Sequence, residues 1–279
     1  MTIYALTLSW NGKECLDKLY KTILEVQKTI PTDFIWYIRD NASTDGTEEL
    51  VKSWDNELFV RYFKVNHNLD NFSKCNNFLV EKVKEENKVD FNKDYFLLLN
   101  NDITIDEPSS LYNMLNLIDK ENVGIVGAKL YYPNSKIIQH GGVCFSQKHG
   151  NMPWHIFNGE QDNNYTNQNK EFQAVTGAFL LIRAECYANL PFGKMDERYS
   201  WAFEDISMCL DVKYRQKKKI LYCGKTKISH YESMTLSKNK CNIMYMTSNV
   251  NLLKKQWGRS YKLDYFDYRN DPSFNLFVG

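Results

Sequence analysis

Tyr95-Phe96-Leu97-Leu98-Leu99-Asn100-Asn101-Asp102 decides how this chain folds. An unbroken apolar run without polar alternation suits a strand covered on both faces, as in a parallel sheet between helices. The run stops abruptly on three polar residues. A carboxylate at an exposed strand end can hold a divalent cation, with a neighbouring amide or ordered water completing the shell. Asp also favours turns, so the triplet alone fits either purpose.

The same reading extends in both directions. Upstream, Ile3 to Ser9 reads as a buried strand, Phe34 to Ile38 as a second, ended by Asp40-Asn41, and Phe59 to Val65 as a third. Leu16 to Ile30 reads as a helix with apolar residues at Leu16, Leu19, Ile23, Leu24 and Val26, and Phe72 to Val83 repeats that periodicity. Thr44-Asp45-Gly46-Thr47-Glu48 reads as a turn feeding a capped helix through Leu50 and Trp54. Downstream, Val123 to Tyr132, Val175 to Arg183 and Lys219 to Cys223 read as strands. Trp201 to Tyr214 reads as a helix opening on Glu204-Asp205, and Cys241 to Trp257 has helical spacing. The Asn-, Gln- and Gly-rich stretch from Gly141 to Lys170 predicts an irregular loop. Strands alternating with helices predict an α/β fold with a mainly parallel, helix-covered sheet. Ligands of such sheets bind beyond the carboxyl ends of the strands, where Asp40 and Asn100 to Asp102 lie.

Composition narrows the classes. In 279 residues, 43% are hydrophobic and 14% aromatic, enough for a substantial core and too much for a disordered chain. Basic and acidic residues nearly cancel to a net charge of +1, against the basic excess expected of a nucleic-acid binder. The run Arg215 to Lys219 reads as a solvated helix end, and attraction to an anionic surface comes second. Seven cysteines stand singly, without a C-x-x-C pair, which suits a reducing compartment. No apolar stretch approaches the ~20 residues that span a bilayer. The chain enters a strand directly after Met1, so the expectation is a cytoplasmic protein, with peripheral association at the inner face of a membrane left open.

Three places invite chemistry. The Asp40 carboxylate can accept from a nucleobase imide or ribose hydroxyls, or it can build a turn with Asn41, Ser43 and Asp45; for Asp45 the turn is the better reading. Glu204-Asp205 follows the aromatic cluster from Tyr199 to Phe203, where burial would raise a carboxyl's pKa toward that of a general base. A helix N-terminus also favours acidic residues through its dipole. His230, in Ile228-Ser229-His230-Tyr231-Glu232-Ser233, can ligate a metal or satisfy a core hydrogen bond.

The order of these elements carries more than any one of them. Leu6-Thr7-Leu8-Ser9-Trp10-Asn11-Gly12, Arg39-Asp40-Asn41-Ala42-Ser43-Thr44-Asp45-Gly46-Thr47 and Leu97 to Asp102 come first. Val123-Gly124-Ile125-Val126-Gly127, Val175-Thr176-Gly177-Ala178-Phe179-Leu180 and Met195-Asp196-Glu197-Arg198 follow. Phe203-Glu204-Asp205-Ile206 and His230-Tyr231-Glu232-Ser233 close the series. From Thr2 to about Gly258 the chain resembles the family 2 glycosyltransferases, with their Rossmann-like GT-A fold, and within them a rhamnosyltransferase-like subgroup.

The resemblance implies roles. Asp40 matches the aspartate that contacts a uracil or thymine ring, with Leu8 and Trp10 in the same pocket; Asn101 falls on the nucleotide side, and Asn68 and Lys74 approach it. Asp102 matches the last acid of an Asp-x-Asp metal motif, His230 a histidine of the metal shell, and Asn100 the first acid's place. Thr176-Gly177-Ala178 matches the segment under the donor sugar, Asp205 the base that takes the acceptor's proton, and Glu204 the neighbour that orients the acceptor. The implied chemistry is transfer from a UDP- or dTDP-sugar to a saccharide, lipid-linked or other hydroxyl, with inversion, aided by Mn2+ or Mg2+, in glycan or surface-polysaccharide assembly. Rhamnose, galactose, glucose and their N-acetyl forms all stay open as donor sugars.

Departures bear on this. Asn100 removes one ligand charge, and Asn71 stands where the family usually has glycine, so a left-handed turn is expected there on an asparagine. The Gln-x-x-Arg-Trp motif of processive synthases is missing, which favours transfer of one or a few sugars. The rival readings are an inactive nucleotide-sugar-binding relative or scaffold, which Asn100 favours, and a nucleotidyltransferase, for which Ser9 to Lys13 is a poor phosphate loop. The expected domains are a GT-A unit over 1–235, divided into a nucleotide-sugar half 1–110 and an acceptor half 111–235, and a helical tail over 236–279. The acceptor falls to the Gly141 to Lys170 loop and that tail, with His140-Gly141-Gly142 either shaping the acceptor side or making a plain turn.

Overall fold

The apolar run Tyr95–Leu99 is a strand buried along its whole length, near the middle of a mixed sheet. The computed structural model describes residues 1–54, 59–200, 202–231 and 241–270, the last stretch with side chains from 246 onward. Its strands are β1 (Thr2–Ser9), β2 (Asp33–Asn41), β3 (Phe59–Val65), β4 (Tyr95–Leu99), β5 (Ile103–Ile105), β6 (Val123–Tyr131), β7 (Ile138–His140), β8 (Val143–Ser146), β9 (Met152–His155), β10 (Lys170–Phe172), β11 (Phe179–Arg183) and β12 (Lys219–His230). The helices are α1 (Lys13–Gln27), α2 (Thr47–Ser53), α3 (Phe72–Glu86), α4 (Ser110–Ile118), α5 (Ala184–Ala188), α6 (Glu204–Tyr214), α7 (Cys241–Trp257) and α8 (Tyr265–Arg269).

The sheet order is β10-β12-β6-β11-β4-β1-β2-β3, with β5 added to β12 and β7 to β6. β4, β1, β2 and β3 run parallel, as do β6 and β12, while β11 is antiparallel to both of its neighbours. Alternation explains why the central strands are apolar throughout. Tyr4, Leu6, Phe96, Leu98, Leu180 and Ile182 enter one core with α3 and α6. Ile3, Ala5, Leu97, Leu99 and Leu181 enter the opposite core with α1 and α4. A central strand packed on both faces has no side left for polar residues. Among the described residues no helix is long and apolar enough to cross a membrane.

Several elements differ from the sequence expectation. The stretch from Gly141 to Lys170 is not an irregular loop, because β8 and β9 pair as an antiparallel hairpin within it. Val143, Cys144 and Phe145 are buried there, and Asp264 accepts from the Phe145 amide at 2.8 Å, which docks the hairpin beside α8. The strand expected from Val175 begins only at Phe179, since residues 175–178 turn away from the ladder. The strand expected at Lys219–Cys223 continues to His230, resuming after a register shift between Cys223 and Ile228. α1 covers Lys13–Gln27 rather than 16–30, because the Lys13 amide is capped by Asp45 Oδ2 at 2.9 Å. α7 packs back onto α6, where Trp257 Nε1 donates to Ser207 Oγ at 3.0 Å.

Candidate active site

At the end of β4, the Asn100 amide donates to the Ala178 carbonyl at 2.9 Å. β5 then pairs antiparallel with β12, His230 opposite Ile103, and this brings His230 beside Asp102. His230 Nε2 lies 3.2 Å from Asp102 Oδ1 and 3.4 Å from Asn100 Nδ2, with the Asp102 and His230 side chains 15% and 14% exposed. On its other edge His230 meets Gln139, whose Oε1 is 2.7 Å from Nδ1 and whose Nε2 donates to the His230 carbonyl at 3.3 Å. A cavity of about 70 Å3 adjoins Asp102, lined also by Glu14, Cys15, Lys18 and Tyr231.

Among the described residues no three of His, Cys, Asp or Glu gather closely enough to form a metal cluster by themselves. Asp102 and His230 make a pair, with the Asn100 amide as a neutral third. Oxygen ligands sit ~2.1 Å from Mg2+, so adjacent corners of its octahedron are about 3 Å apart. The Asp102–His230 spacing of 3.2 Å matches that of two adjacent ligands of a small divalent cation.

The opposite side is built on α6. Ala202 and Phe203 both adopt left-handed backbone, with φ of 63° and 73°, immediately before Glu204. Each such non-glycine residue costs roughly 1–2 kcal/mol, a strain of the kind found where a site must be held in place. The Gly177 amide donates to Asp205 Oδ2 at 2.8 Å, and the Ile206 amide to Oδ1 at 2.7 Å. A Cβ at Gly177 would lie 3.2 Å from Asp205 Cβ, a tight contact that the glycine avoids. Burial raises the pKa of Asp205 despite these amides. Burial and then the Asp205 charge raise that of Glu204, whose Oε2 is buried without a partner although the residue is partly exposed. Two adjacent carboxyls in one desolvated place cannot both ionise readily.

Residues 176–178 tie these sides together. Thr176 donates to His140 Nε2 at 3.4 Å, Gly177 to Asp205, and Ala178 accepts from Asn100. Behind them His140 Nδ1 is 3.3 Å from His155 Nδ1, the rings at 75°. Burial, then the neighbouring histidines His155 and His230, holds His140 neutral.

The nucleotide-side candidates fall into two groups. The turn after β1 is stitched to the turn after β2, for Asn11 donates to Ser43 Oγ at 2.8 Å and Thr44 to Asn11 Oδ1 at 2.9 Å. Leu8 is partly buried there, Trp10 is 42% exposed, and Asn101 Nδ2 reaches Ser9 Oγ at 3.3 Å. A Cβ on Gly12 would come within 2.4 Å of Asn101 Nδ2 and 2.9 Å of Ser9 Oγ, so a side chain there would push these two polar groups aside. Asp40 is fully buried, its Oδ1 accepting from the Ser43 amide at 2.8 Å and its Oδ2 from the Tyr62 hydroxyl. Asp45 builds its turn, its Oδ1 accepting from the Thr47 amide at 3.2 Å and from Thr47 Oγ1 at 2.6 Å. Asn68 and Lys74 form the second group, exposed on the way into α3, with Lys74 Nζ 3.9 Å from Asp70 Oδ1. The expected left-handed turn at Asn71 is absent. Its φ is −76°, and its side chain caps α3 by accepting from the Lys74 amide at 2.9 Å.

Sequence reasoning missed Gln139, His155 and Tyr62, and left His140 between two readings. The sequence signal for them is slight, since their partners lie far along the chain. Trp201, Glu232 and Ser233, all part of the sequence motifs, lie outside the described residues.

Comparison with known proteins now decides the family. The sequence pattern described as Glycosyl transferase family 2 matches residues 7–187. The chain belongs to that family. This family 2 chain is 24% identical over 222 residues to the O-antigen biosynthesis protein RfbC of Myxococcus xanthus, a match covering 77% of the chain and 16% of RfbC. It spans 15% to 16% of the length of the curated relatives it matches. Among solved structures, the mannosyltransferase PcManGT of Pyrobaculum calidifontis, in complex with GDP-Man and Mn2+, superposes with a TM-score of 0.61 at 10% identity, over 99% of this chain and 70% of that one. GalNAc-T7 with UDP, GalNAc and Mn2+ gives 0.60 at 14% identity, over 82% and 44%. The fold of this family 2 chain is therefore the GT-A fold, a mostly parallel sheet between helices.

Proposed function

We propose that this chain transfers a sugar from a UDP- or dTDP-sugar to an acceptor hydroxyl, with inversion, in glycan or surface-polysaccharide assembly. The observation that carries the reading is the segment Thr176–Ala178, whose Gly177 amide holds Asp205 while its Ala178 carbonyl is held by the strand end at Asn100. A donor sugar lying on that segment would have Asp205 on one side and Asp102 on the other. RfbC, by its name, belongs to O-antigen synthesis, and PcManGT and GalNAc-T7 hold a nucleotide sugar or nucleotide with Mn2+, all of which supports the reading.

Asp205 takes the proton of the acceptor hydroxyl, and its raised proton affinity suits a base working near neutral pH. The acceptor oxygen attacks the anomeric carbon as the bond to the diphosphate breaks, and one displacement inverts that carbon. Glu204, whose proton affinity burial and the Asp205 charge raise, donates to the acceptor and orients it. Leu8, Trp10 and Asn101 line the nucleotide, with Asn68 and Lys74 at its outer edge. Asp40 acts through the turn it holds, and a base reaching its carboxylate displaces the Tyr62 hydroxyl. Asp102, His230 and Asn100 would hold Mn2+ or Mg2+, which would supply positive charge to the diphosphate leaving group. The setting we assign is the cytoplasm, at or near the inner face of a membrane.

The test is calorimetry of UDP and dTDP, with and without Mn2+, on the native chain and on Asp102→Ala. The expected result is metal-dependent binding of one nucleotide, lost in the variant. Absence of binding by either nucleotide would sink the assignment.

A further inference from the structure

We infer that Gln139 is a positioning residue that fixes the tautomer of His230 and keeps its Nε2 bare toward Asp102. The inference rests on the reading of Asp102 and His230 as cation ligands. Gln139 is 4% exposed, on β7, which adds to the sheet through β6. Its amide meets His230 twice, at the backbone carbonyl (3.3 Å) and at Nδ1 (2.7 Å).

These contacts leave little freedom in the assignment of atoms. A carbonyl oxygen only accepts, so the group facing the His230 carbonyl must be the amide nitrogen of Gln139. Turning the amide over would set two carbonyl oxygens against each other. The Gln139 oxygen therefore faces Nδ1, and since it too only accepts, Nδ1 carries the proton. In the neutral ring, which has one such proton, Nε2 is then left with its lone pair. Asn100 Nδ2, a donor 3.4 Å from that nitrogen, agrees with this assignment. Asp102 Oδ1 at 3.2 Å then presents a second lone pair to the first, an arrangement that calls for a positive charge between them.

Without Gln139 the ring could put its proton on Nε2 and donate it to Asp102, closing the gap and spending both ligands on each other. The lock has particular use in this chain. Asn100 supplies no charge, so the bare imidazole nitrogen carries a larger share of the protein's hold on a cation. The rest of β7 is held as well, for the Gln139 carbonyl accepts from Asn158 Nδ2 at 2.7 Å and His140 takes the Thr176 amide. One short strand thereby orients the metal-side histidine and braces the segment whose Gly177 amide holds Asp205.

The test compares native protein with Gln139→Leu, which removes both contacts, and Gln139→Glu, which keeps an acceptor at Nδ1. Imidazole nitrogen NMR reads the tautomer without metal, and calorimetry reads Mn2+ affinity with UDP present. We expect the proton on Nδ1 in native protein and in Gln139→Glu, and a shift toward Nε2 in Gln139→Leu. Mn2+ affinity in Gln139→Leu should fall by roughly 10–100-fold, the usual cost of losing such an outer partner, with Gln139→Glu recovering most of it. Unfolding temperatures measured alongside identify a variant that has merely lost its fold. A native His230 protonated on Nε2, or a Gln139→Leu protein with unchanged Mn2+ affinity, overturns the inference. Native protein that binds neither UDP nor Mn2+ sinks the functional reading instead, and the nitrogen signals alone then support or overturn the lock.

Discussion

His230 Nε2 and Asp102 Oδ1 stand 3.2 Å apart, because β5 folds back antiparallel onto the end of β12. Removing the nitrogen while keeping the carboxylate tests whether the two act as a pair. In His230→Ala, the Mn2+ concentration needed for half-maximal UDP binding should rise by at least about tenfold, since even an outer partner of a metal ligand is worth that much. Titration of Mn2+ at fixed UDP checks it. An unchanged midpoint would leave Asp102 to act without the histidine.

Glu204 gives a stability prediction with a definite sign. An unfolded glutamate ionises near ~4.3, whereas burial and the neighbouring Asp205 raise the folded value. The folded chain then holds the proton more tightly than the unfolded one. This contribution is fully present below the unfolded value and is lost as pH rises through the folded value. Glu204→Gln removes the titration. It should therefore gain on the native chain as pH climbs from about 4 toward 8, by roughly 1–3 kcal/mol, the cost of a buried unsatisfied group. Thermal unfolding across that range is the measurement. A difference that stays flat would mean that the charge finds a partner.

Tyr62 covers Asp40. Because its hydroxyl occupies Oδ2 of a buried carboxylate, Tyr62→Phe should free that oxygen for a nucleobase. A hydrogen bond to a charged group is worth about 1.5–3 kcal/mol, so UDP affinity should rise by about tenfold or more, at some cost in thermal stability. Calorimetry reads both the gain and its enthalpy. Unchanged UDP affinity would confine Asp40 to its turn.

Asn71 discriminates between two backbone readings. As an N-cap in extended conformation it should tolerate glycine better than alanine, with Asn71→Ala costing about 1–2 kcal/mol and the cap contribution of glycine only a few tenths less than asparagine's. Both variants also lose the bond from Nδ2 to the Glu197 carbonyl at 2.8 Å. Were the position left-handed, glycine would instead stabilise the protein. Denaturant unfolding of the two variants settles the order.

The sequence by itself determined the sheet and the strand ends on which its polar residues stand. Five apolar residues at 95–99 are buried on both faces as their composition required, and their polar successors lie at the strand end. Asp45 does locally what its chemistry predicts in the turn before α2, accepting from Thr47. These are short-range effects, governed by backbone period, turn chemistry and whether a side chain is present. What only the tertiary structure decided depends on partners far apart in the chain. Gln139 meets His230 across 91 positions, and Tyr62 meets Asp40 across 22. The hairpin at 143–155 meets Asp264 across 119 positions, and His230 ends a strand that runs on past Cys223, where the sequence reading stopped it. Strand order and burial set those meetings, and burial then sets the proton affinities of Glu204 and Asp205. A linear pattern does not carry that information, because desolvation and hydrogen-bond partnership belong to neighbours in space.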